Sequence, residues 1–136
     1  MKVVPFSVKK HYRIMASWYH SRDLSAPLPH MLPQVGFVVG GAAIGFLYQT
    51  DSCIALLDGF IGHPEVLPSR RRQAIKILAG ALLDEASKRG FEEFLITTSA
   101  PSIGVIASEF GFRPVNQTMM MLSTSLEEQE LSLIHI

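Results

Sequence analysis

Residues 67–90, LPSRRRQAIKILAGALLDEASKRG, set three consecutive arginines at the head of a stretch whose apolar residues recur with helical spacing. Ile75, Leu78, Ala79, Leu82 and Ala86 fall on one side of such a helix. Ser69 is the expected N-cap, and Gly90 the expected left-handed residue just past the end. Lys88 and Arg89 suit the last turn, and Asp84 with Lys88 and Glu85 with Arg89 make i,i+4 pairs in the favourable order. Gly80 weakens a helix interior by about 1 kcal/mol relative to alanine, so its presence predicts close packing against a sheet. Arg70, Arg71 and Arg72 conflict with this order, because the unpaired N–H groups already make a helix N-terminus positive. An anion held between the arginines and the helix resolves the conflict. A solvated helix end whose arginines pair with Glu65 or other surface carboxylates resolves it too.

Working outward, CIALLDGFI (53–61) before this helix and EEFLITTSA (92–100) after it read as strands. A helix crossover between two strands normally leaves them parallel. Upstream, VGFVV (35–39) and AAIGFLYQT (42–50) flank Gly40-Gly41, a pair that supplies the positive φ of a tight hairpin turn. A turn at Asp51-Ser52 leads into the third strand, and such short connections imply antiparallel pairing. KVVPF (2–6) reads as an edge strand that tolerates Pro5. Ser7 can cap a helix over Val8–Arg22, with Ile14, Met15, Trp18 and Tyr19 on its apolar side. SAPLPHMLPQ (25–34), with Pro27, Pro29 and Pro33, reads as a stiff extended loop, either a connector or a wall for a substrate or partner. Pro101 suits the first turn of a short helix that Gly111 closes, and RPVNQTMMMLSTSL (113–126) reads as one or two final strands. The expected fold is α+β, or mixed α/β, with one central sheet flanked by helices in the order β-α-β-β-β-α-β-α-β.

The chain has 136 residues, which fits one domain able to bury a core without staples. Residues 1–126 are expected to form it, with 127–136 as a tail. Its 12 basic and 12 acidic residues cancel, so no overall field favours nucleic acid or an anionic membrane, and any anion site must be local. The single cysteine, Cys53, excludes an internal disulfide and fits a cytoplasmic setting. It reads as a small buried hydrophobe more readily than as a nucleophile. The opening residues show no secretory h-region, and GFVVGGAAIGFL is too short to cross a bilayer. His11, His20, His30 and His63 lack the spacing of a metal site. Met119, Met120 and Met121 read as strand core, or as an adaptable contact surface.

The last six residues, LSLIHI (131–136), follow a polar stretch that reads as a frayed tail. They match one translated frame of the transposon mosaic-end sequence used in DNA library preparation and are expected to be adaptor read-through. A cloned natural gene encoding them would refute this.

The order of elements, with the arginine-led helix after an antiparallel strand and SIGVIASEFGFRP after the next strand, resembles the GNAT superfamily of N-acetyltransferases from about Val3 to Leu122. Its compactness is similar to that of small phage-encoded members. In that superfamily a loop of pattern Arg/Gln-x-x-Gly-x-Gly/Ala binds the diphosphate of acetyl-CoA through backbone N–H groups. Arg71 matches its leading residue and Ala74 its first glycine, whereas Lys76 departs from the final small residue. The resemblance therefore implies a diphosphate site at Arg70, Arg71, Arg72, Gln73, Ala74, Ile75 and Lys76, with basic side chains supplementing the backbone. It also implies that acetyl-CoA, the cosubstrate, wedges between the fourth and fifth strands against the backbone of Phe60, Ile61 and Gly62 and passes Thr98 and Ser99.

Many relatives carry a tyrosine general acid four residues before the glycine of SEFGF, a position held here by Ala107. Ser108 is adjacent, and Tyr48 or Tyr12 can substitute only where the fold brings one close. The resemblance makes Asp58 the candidate general base, while a turn or bulge with Gly59 is its other reading. His63 is either a proton relay or a loop residue before Pro64. The activity implied is N-acetyl transfer to an amine on a small molecule or protein, by direct attack. The alternative is an inactive module of the same fold that binds a protein partner. The last strand is expected to be able to pair across a homodimer.

Overall fold

The structure, a computed structural model, describes residues 1–98, 100–115 and 122–134. The chain runs through β1 (Val3–Pro5), α1 (Val8–His20), a 3-10 turn at Pro29–Met31, β2 (Val35–Val39), β3 (Ala43–Gln49) and β4 (Ile54–Gly62). It continues through α2 (Pro68–Lys88), β5 (Glu93–Leu95), α3 (Pro101–Glu109) and α4 (Leu126–Ile134). The strands form one five-stranded sheet in the order β1-β2-β3-β4-β5. β1 to β4 are antiparallel and β5 is parallel to β4.

β2 and β3 are almost continuously apolar because both faces of the sheet are covered. Neighbouring residues go to opposite layers. Val38, Ile44 and Phe46 pack with Met15 and Trp18 of α1, whereas Val39, Ala43 and Leu47 pack with Ala74, Leu78, Leu82 and Ala86 of α2. Gly40 and Gly41, at φ 56° and 61°, make the hairpin turn. Pro5 sits on the edge strand opposite Phe37, where its missing donor breaks no central ladder.

Several boundaries differ from the sequence reading. α2 begins at Pro68 with Leu67 as its flanking residue, so Ser69 lies inside the first turn and caps nothing. Proline at N1 replaces the cap, since its fixed φ suits a helix start and it has no N–H to satisfy. Ser7 likewise makes no side-chain cap; its N–H donates to His11 Nδ1 at 2.9 Å. Ile14 is exposed, and the buried stripe of α1 is Met15 and Trp18. Gly80 faces α3 rather than the sheet: a Cβ there would meet Phe110 at 3.5 Å. β5 is only three residues long. Cys53 is exposed; its carbonyl accepts from the N–H groups of Glu92 and Glu93 at 2.9 and 3.1 Å and so starts β5.

Of the one or two final strands expected over residues 113–126, residues 113–115 and 122–125 are not strand and Leu126 begins α4, while residues 116–121, with the methionine run, lie outside the described residues. The expected frayed tail is a helix, α4. Ser125 Oγ accepts from the Glu128 N–H at 3.1 Å, and Glu128 reaches back to Thr124 Oγ1 at 3.2 Å. Ser-x-x-Glu is the capping-box pattern.

Candidate active site

β4 pairs with β5 through Ile54–Glu93, Ala55–Phe94 and Leu56–Leu95, and the pairing stops there. β5 ends at Leu95, while β4 runs on to Gly62. Thr98 Oγ1 accepts the Ala100 N–H at 3.0 Å and turns the chain into α3. The sheet therefore forks, and among the described residues no strand pairs with β4 from Leu57 to Gly62 on its β5 side.

A bulge shapes that stretch. β3 advances from Ile44 to Phe46 while β4 advances from Asp58 to Ile61. Gly59 sits at φ +70°, and its N–H donates to Asp58 Oδ1 at 2.7 Å. The Asp58-Gly59 bulge is thus present, and it does not remove Asp58 from the fork. Asp58 pairs with Phe46 and so shares the α1 face, where Phe46 is buried. The extra residue turns Phe60 to the α2 face, beside Leu78, and Ile61 to the α1 face.

Tyr48 and Tyr19 pack on the same α1-side layer. Burial lifts the Tyr19 hydroxyl above the ordinary 10.0; the negative potential of Tyr48 and Asp58 adds to this, and Arg22 opposes it. Tyr48 is raised by burial and then by Asp58. Asp58, Tyr19 and Tyr48 therefore share one electrostatic neighbourhood beside the fork, with both phenols held protonated. Tyr12 is excluded from it, because its hydroxyl donates to the Pro27 carbonyl at 2.7 Å. Ser108 is exposed on the surface of α3, where its hydroxyl donates to the Val105 carbonyl at 2.7 Å. Ala107, which the resemblance sets at the general-acid position, is buried.

On the α2 face, a cleft of about 100 Å³ lies between the starts of α2 and α3, lined by Pro68, Arg71, Arg72, Ile75, Ser102 and Ile106. Three of the expected cofactor residues, Arg71, Arg72 and Ile75, thus meet in one place. Arg70 and Gln73 are exposed on other sides of the turn, and Ala74 is fully buried in the core. Lys76 is bound to Glu109 of α3 at 2.7 Å rather than free for a phosphate. Thr98 is exposed, and Ser99 lies outside the described residues.

None of the three arginines pairs with Glu65 or another carboxylate among the described residues. Arg71 instead lays its stem on Gly62, where any Cβ would collide with it, and donates to the carbonyls of His63 at 3.2 Å and of Pro64 and Val66 at 3.5 Å. His63 Nδ1 accepts the Glu65 N–H at 3.1 Å, which leaves a neutral ring its proton on Nε2. Its ring lies 5.1 Å from that of Trp18. Trp18 Nε1 is buried without a partner among the described residues.

A wider hollow of about 550 Å³ lies at the opposite edge, lined by Val4, Pro5, Phe6, Ser7, Lys10 and His11. No carboxylate lines it among the described residues, and Phe46, packed edge-on to Phe6, stands between it and Asp58. Among the described residues no group of His, Cys, Asp and Glu could hold a metal ion, and no helix is long and apolar enough to cross a membrane.

No family model matches the sequence, and no curated protein matches it significantly. Solved structures do match. A "probable acetyltransferase" superposes with a TM-score of 0.69 at 15% identity, covering 92% of this chain and 100% of its own. An acetyltransferase of Trypanosoma brucei gives 0.63 at 11% identity, over 90% and 99%. An aminoglycoside acetyltransferase from an uncultured soil metagenomic sample gives 0.56 at 14% identity, over 92% and 95%. This is the acetyltransferase fold. The order of elements had given the parallel β4–β5 pair and the arginine-led α2, and the resemblance had implied the fork between the two strands. Tyr19 and Glu109 were not singled out as site residues. Tyr19 carried a signal, its place on the Met15–Trp18 side of α1, whereas nothing in the sequence joined Glu109 to Lys76.

Proposed function

We propose that this protein is an acetyl-CoA-dependent N-acetyltransferase acting on a primary amine. The observation that carries the reading is the fork: β4 continues past Leu56 without β5, beside a cleft lined by Arg71 and Arg72. An unpaired strand edge offers N–H and C=O groups to the amide-bearing pantetheine arm, and guanidinium groups suit phosphates. Ile75 and Ile106 give the same cleft an apolar wall. Acetyl-CoA would supply the activated acyl group as a thioester.

In this reading the acceptor amine arrives on the α1 face, and its nitrogen attacks the thioester carbonyl as the carbon–sulfur bond breaks. Asp58, with Oδ1 held by Gly59 and Oδ2 free of that bond, takes the amine proton directly or through water. Tyr48, kept protonated by its burial, protonates the departing thiolate in this reading. A backbone N–H of β4 holds the acyl oxygen, so catalysis rests mainly on proximity and orientation.

Calorimetry with acetyl-CoA tests the first half, and thiol release with a panel of amines, including aminoglycosides, polyamines and peptides, tests the second. Binding that weakens on Arg72→Ala supports the assignment. Absence of heat at millimolar acetyl-CoA overturns it and favours an inactive binding module.

A further inference from the structure

Arg22 follows the end of α1 and reaches across to the end of β4. Its Nη1 donates to the Trp18 carbonyl and its Nη2 to the Gly62 carbonyl, both at 2.9 Å. The His63 N–H donates to the Ala42 carbonyl at 2.8 Å and so points toward the β3 side. Because the Gly62–His63 peptide is trans and planar, the Gly62 carbonyl points the other way, to the side of β4 that no strand covers there among the described residues. Arg22 thus ties the last turn of α1 to the open edge of the fork. Among the described residues it makes the only hydrogen bond from residues 8–24 to the sheet. The backbone stops the helix here by an unusual means. Asp23 sits at φ 55°, alone among the described non-glycine residues in having a left-handed backbone. Its N–H donates to the His20 carbonyl and the Leu24 N–H to the Tyr19 carbonyl, each at 3.0 Å, a paired stop that glycine ordinarily makes. A non-glycine residue keeps such a conformation where its surroundings hold it, and the two bonds of Arg22 are the adjacent restraint.

The last turn of α1 carries Trp18 and Tyr19. Trp18 is buried in one layer with Phe46 and Ile61, and Tyr19 packs against the same layer, close enough to Asp58 to feel its charge. Where that turn lies relative to β4 therefore decides how much room is left beside Asp58. Apolar packing alone is non-directional and leaves a helix free to slide or turn on the sheet. A planar guanidinium that holds one carbonyl on each element fixes both the separation and the rotation. We infer that Arg22 is a positioning residue: it straps the end of α1 to the open edge of β4 and so sets the passage by which the acceptor amine reaches Asp58. The effect on transfer rests on the function proposed above, whereas the strap does not. Burial, and then the nearby Arg71, lower the pKa of Arg22, so its charge is held against protein at a cost that a freely solvated arginine does not bear. Lysine is a poor substitute, because a single ammonium lacks the flat fork that spans two carbonyls in one geometry.

Trp18 is the only tryptophan in the chain, so its emission reads the last turn of α1 directly. The test compares wild type, Arg22→Ala and Arg22→Lys by tryptophan fluorescence, amide exchange at Asp23 and Leu24, calorimetry with acetyl-CoA, and steady-state kinetics with the amines of the panel above. Melting temperature is the folding control. The strap predicts red-shifted emission and amide exchange faster by about tenfold in Arg22→Ala, as expected for loss of one charge-assisted contact. It also predicts a fall of about 10- to 100-fold in kcat/KM for the amine, the usual effect of a small misplacement, with acetyl-CoA affinity unchanged and partial recovery of each loss in Arg22→Lys. Emission and exchange unchanged in Arg22→Ala overturn the strap, whatever the kinetics. A released strap with unchanged kcat/KM, or an equal loss for amine and acetyl-CoA, overturns the positioning role. If wild type neither binds acetyl-CoA nor releases thiol with any amine, the acetyltransferase reading falls and takes the role in transfer with it, while emission and exchange still decide the strap.

Discussion

Leu56 and Leu95 form the last rung between β4 and β5, and past them the two strands separate. The separation follows from unequal lengths: β4 is paired to β3 on both sides of its bulge, as far as Gly62, whereas β5, which among the described residues pairs with β4 alone, ends at Leu95, and the chain turns toward α3 after Thr98. The opening is therefore backed by a strand that cannot follow β5 outward. The Asp58-Gly59 bulge lies just beyond this rung, so the position that aims Asp58 is also the most conformationally demanding part of the site.

Gly59→Ala tests that coupling. An alanine at φ +70° is disfavoured by roughly 1–2 kcal/mol, and its Cβ would come within 3.0 Å of Phe46 Cδ2. The expected result is a lower denaturant midpoint with an unchanged m-value, and a fall in acetyl transfer larger than the stability loss explains. Unchanged activity in a folded variant would show that the bulge does not aim Asp58.

Asp58→Asn keeps the shape and removes the base. If Asp58 takes the amine proton, turnover should fall by about 10²–10⁴-fold, the usual worth of a general base, while acetyl-CoA affinity and melting temperature stay close to wild type. Steady-state kinetics with calorimetry separates these. Equal loss of binding and turnover would make Asp58 a structural residue of the bulge.

Lys76 and Glu109 carry an expectation opposite to the one the phosphate-loop resemblance gave. Their pair is half-exposed, so Lys76→Ala and Glu109→Ala should each lower stability by no more than about 1 kcal/mol and leave acetyl-CoA affinity unchanged. A clear loss of affinity in Lys76→Ala alone would mean that the ion pair opens to admit the ligand.

The parts legible in sequence were those fixed by period and by backbone chemistry. Leu78, Leu82 and Ala86 announced the inward side of α2, Gly40-Gly41 the hairpin, and Gly90 the helix end. Asp58 stood out as a carboxylate in an apolar strand. The site was less legible because its contacts depend on side chains meeting across elements. No spacing rule shows that Arg71 will fold onto Gly62, that Lys76 will be taken by Glu109 on α3, or that Arg22 will cross to β4. Ser69 misled because a serine at a plausible cap position was outweighed by Pro68, which fixes the first turn by itself. Cys53 misled because its type suggests burial, whereas the structure uses its carbonyl.

Tyr19 and Tyr48 give a pH dependence whose direction is fixed by their shifts. Both phenols titrate above 10.0 in the folded protein, first because they are buried; Tyr48 and then Asp58 add to this at Tyr19, and Asp58 adds to it at Tyr48. The unfolded chain, with ordinary phenols, loses these protons first as pH rises. The native state then holds more protons than the unfolded state, so stability must decline once pH passes about 10, and it levels off only above the folded-state values. Below that range both states keep the protons, and the tyrosines contribute no slope. Tyr19→Phe and Tyr48→Phe should each flatten the alkaline limb of a plot of denaturation midpoint against pH, while leaving the neutral region with only the small offset of a lost hydroxyl. Tyr48→Phe should also slow acetyl transfer if its hydroxyl protonates the thiolate, and Tyr19→Phe should do so less. An alkaline limb that both variants leave as steep as in wild type would place the decisive titrating groups elsewhere, and a Tyr48→Phe enzyme with unchanged turnover would take Tyr48 out of the proton path.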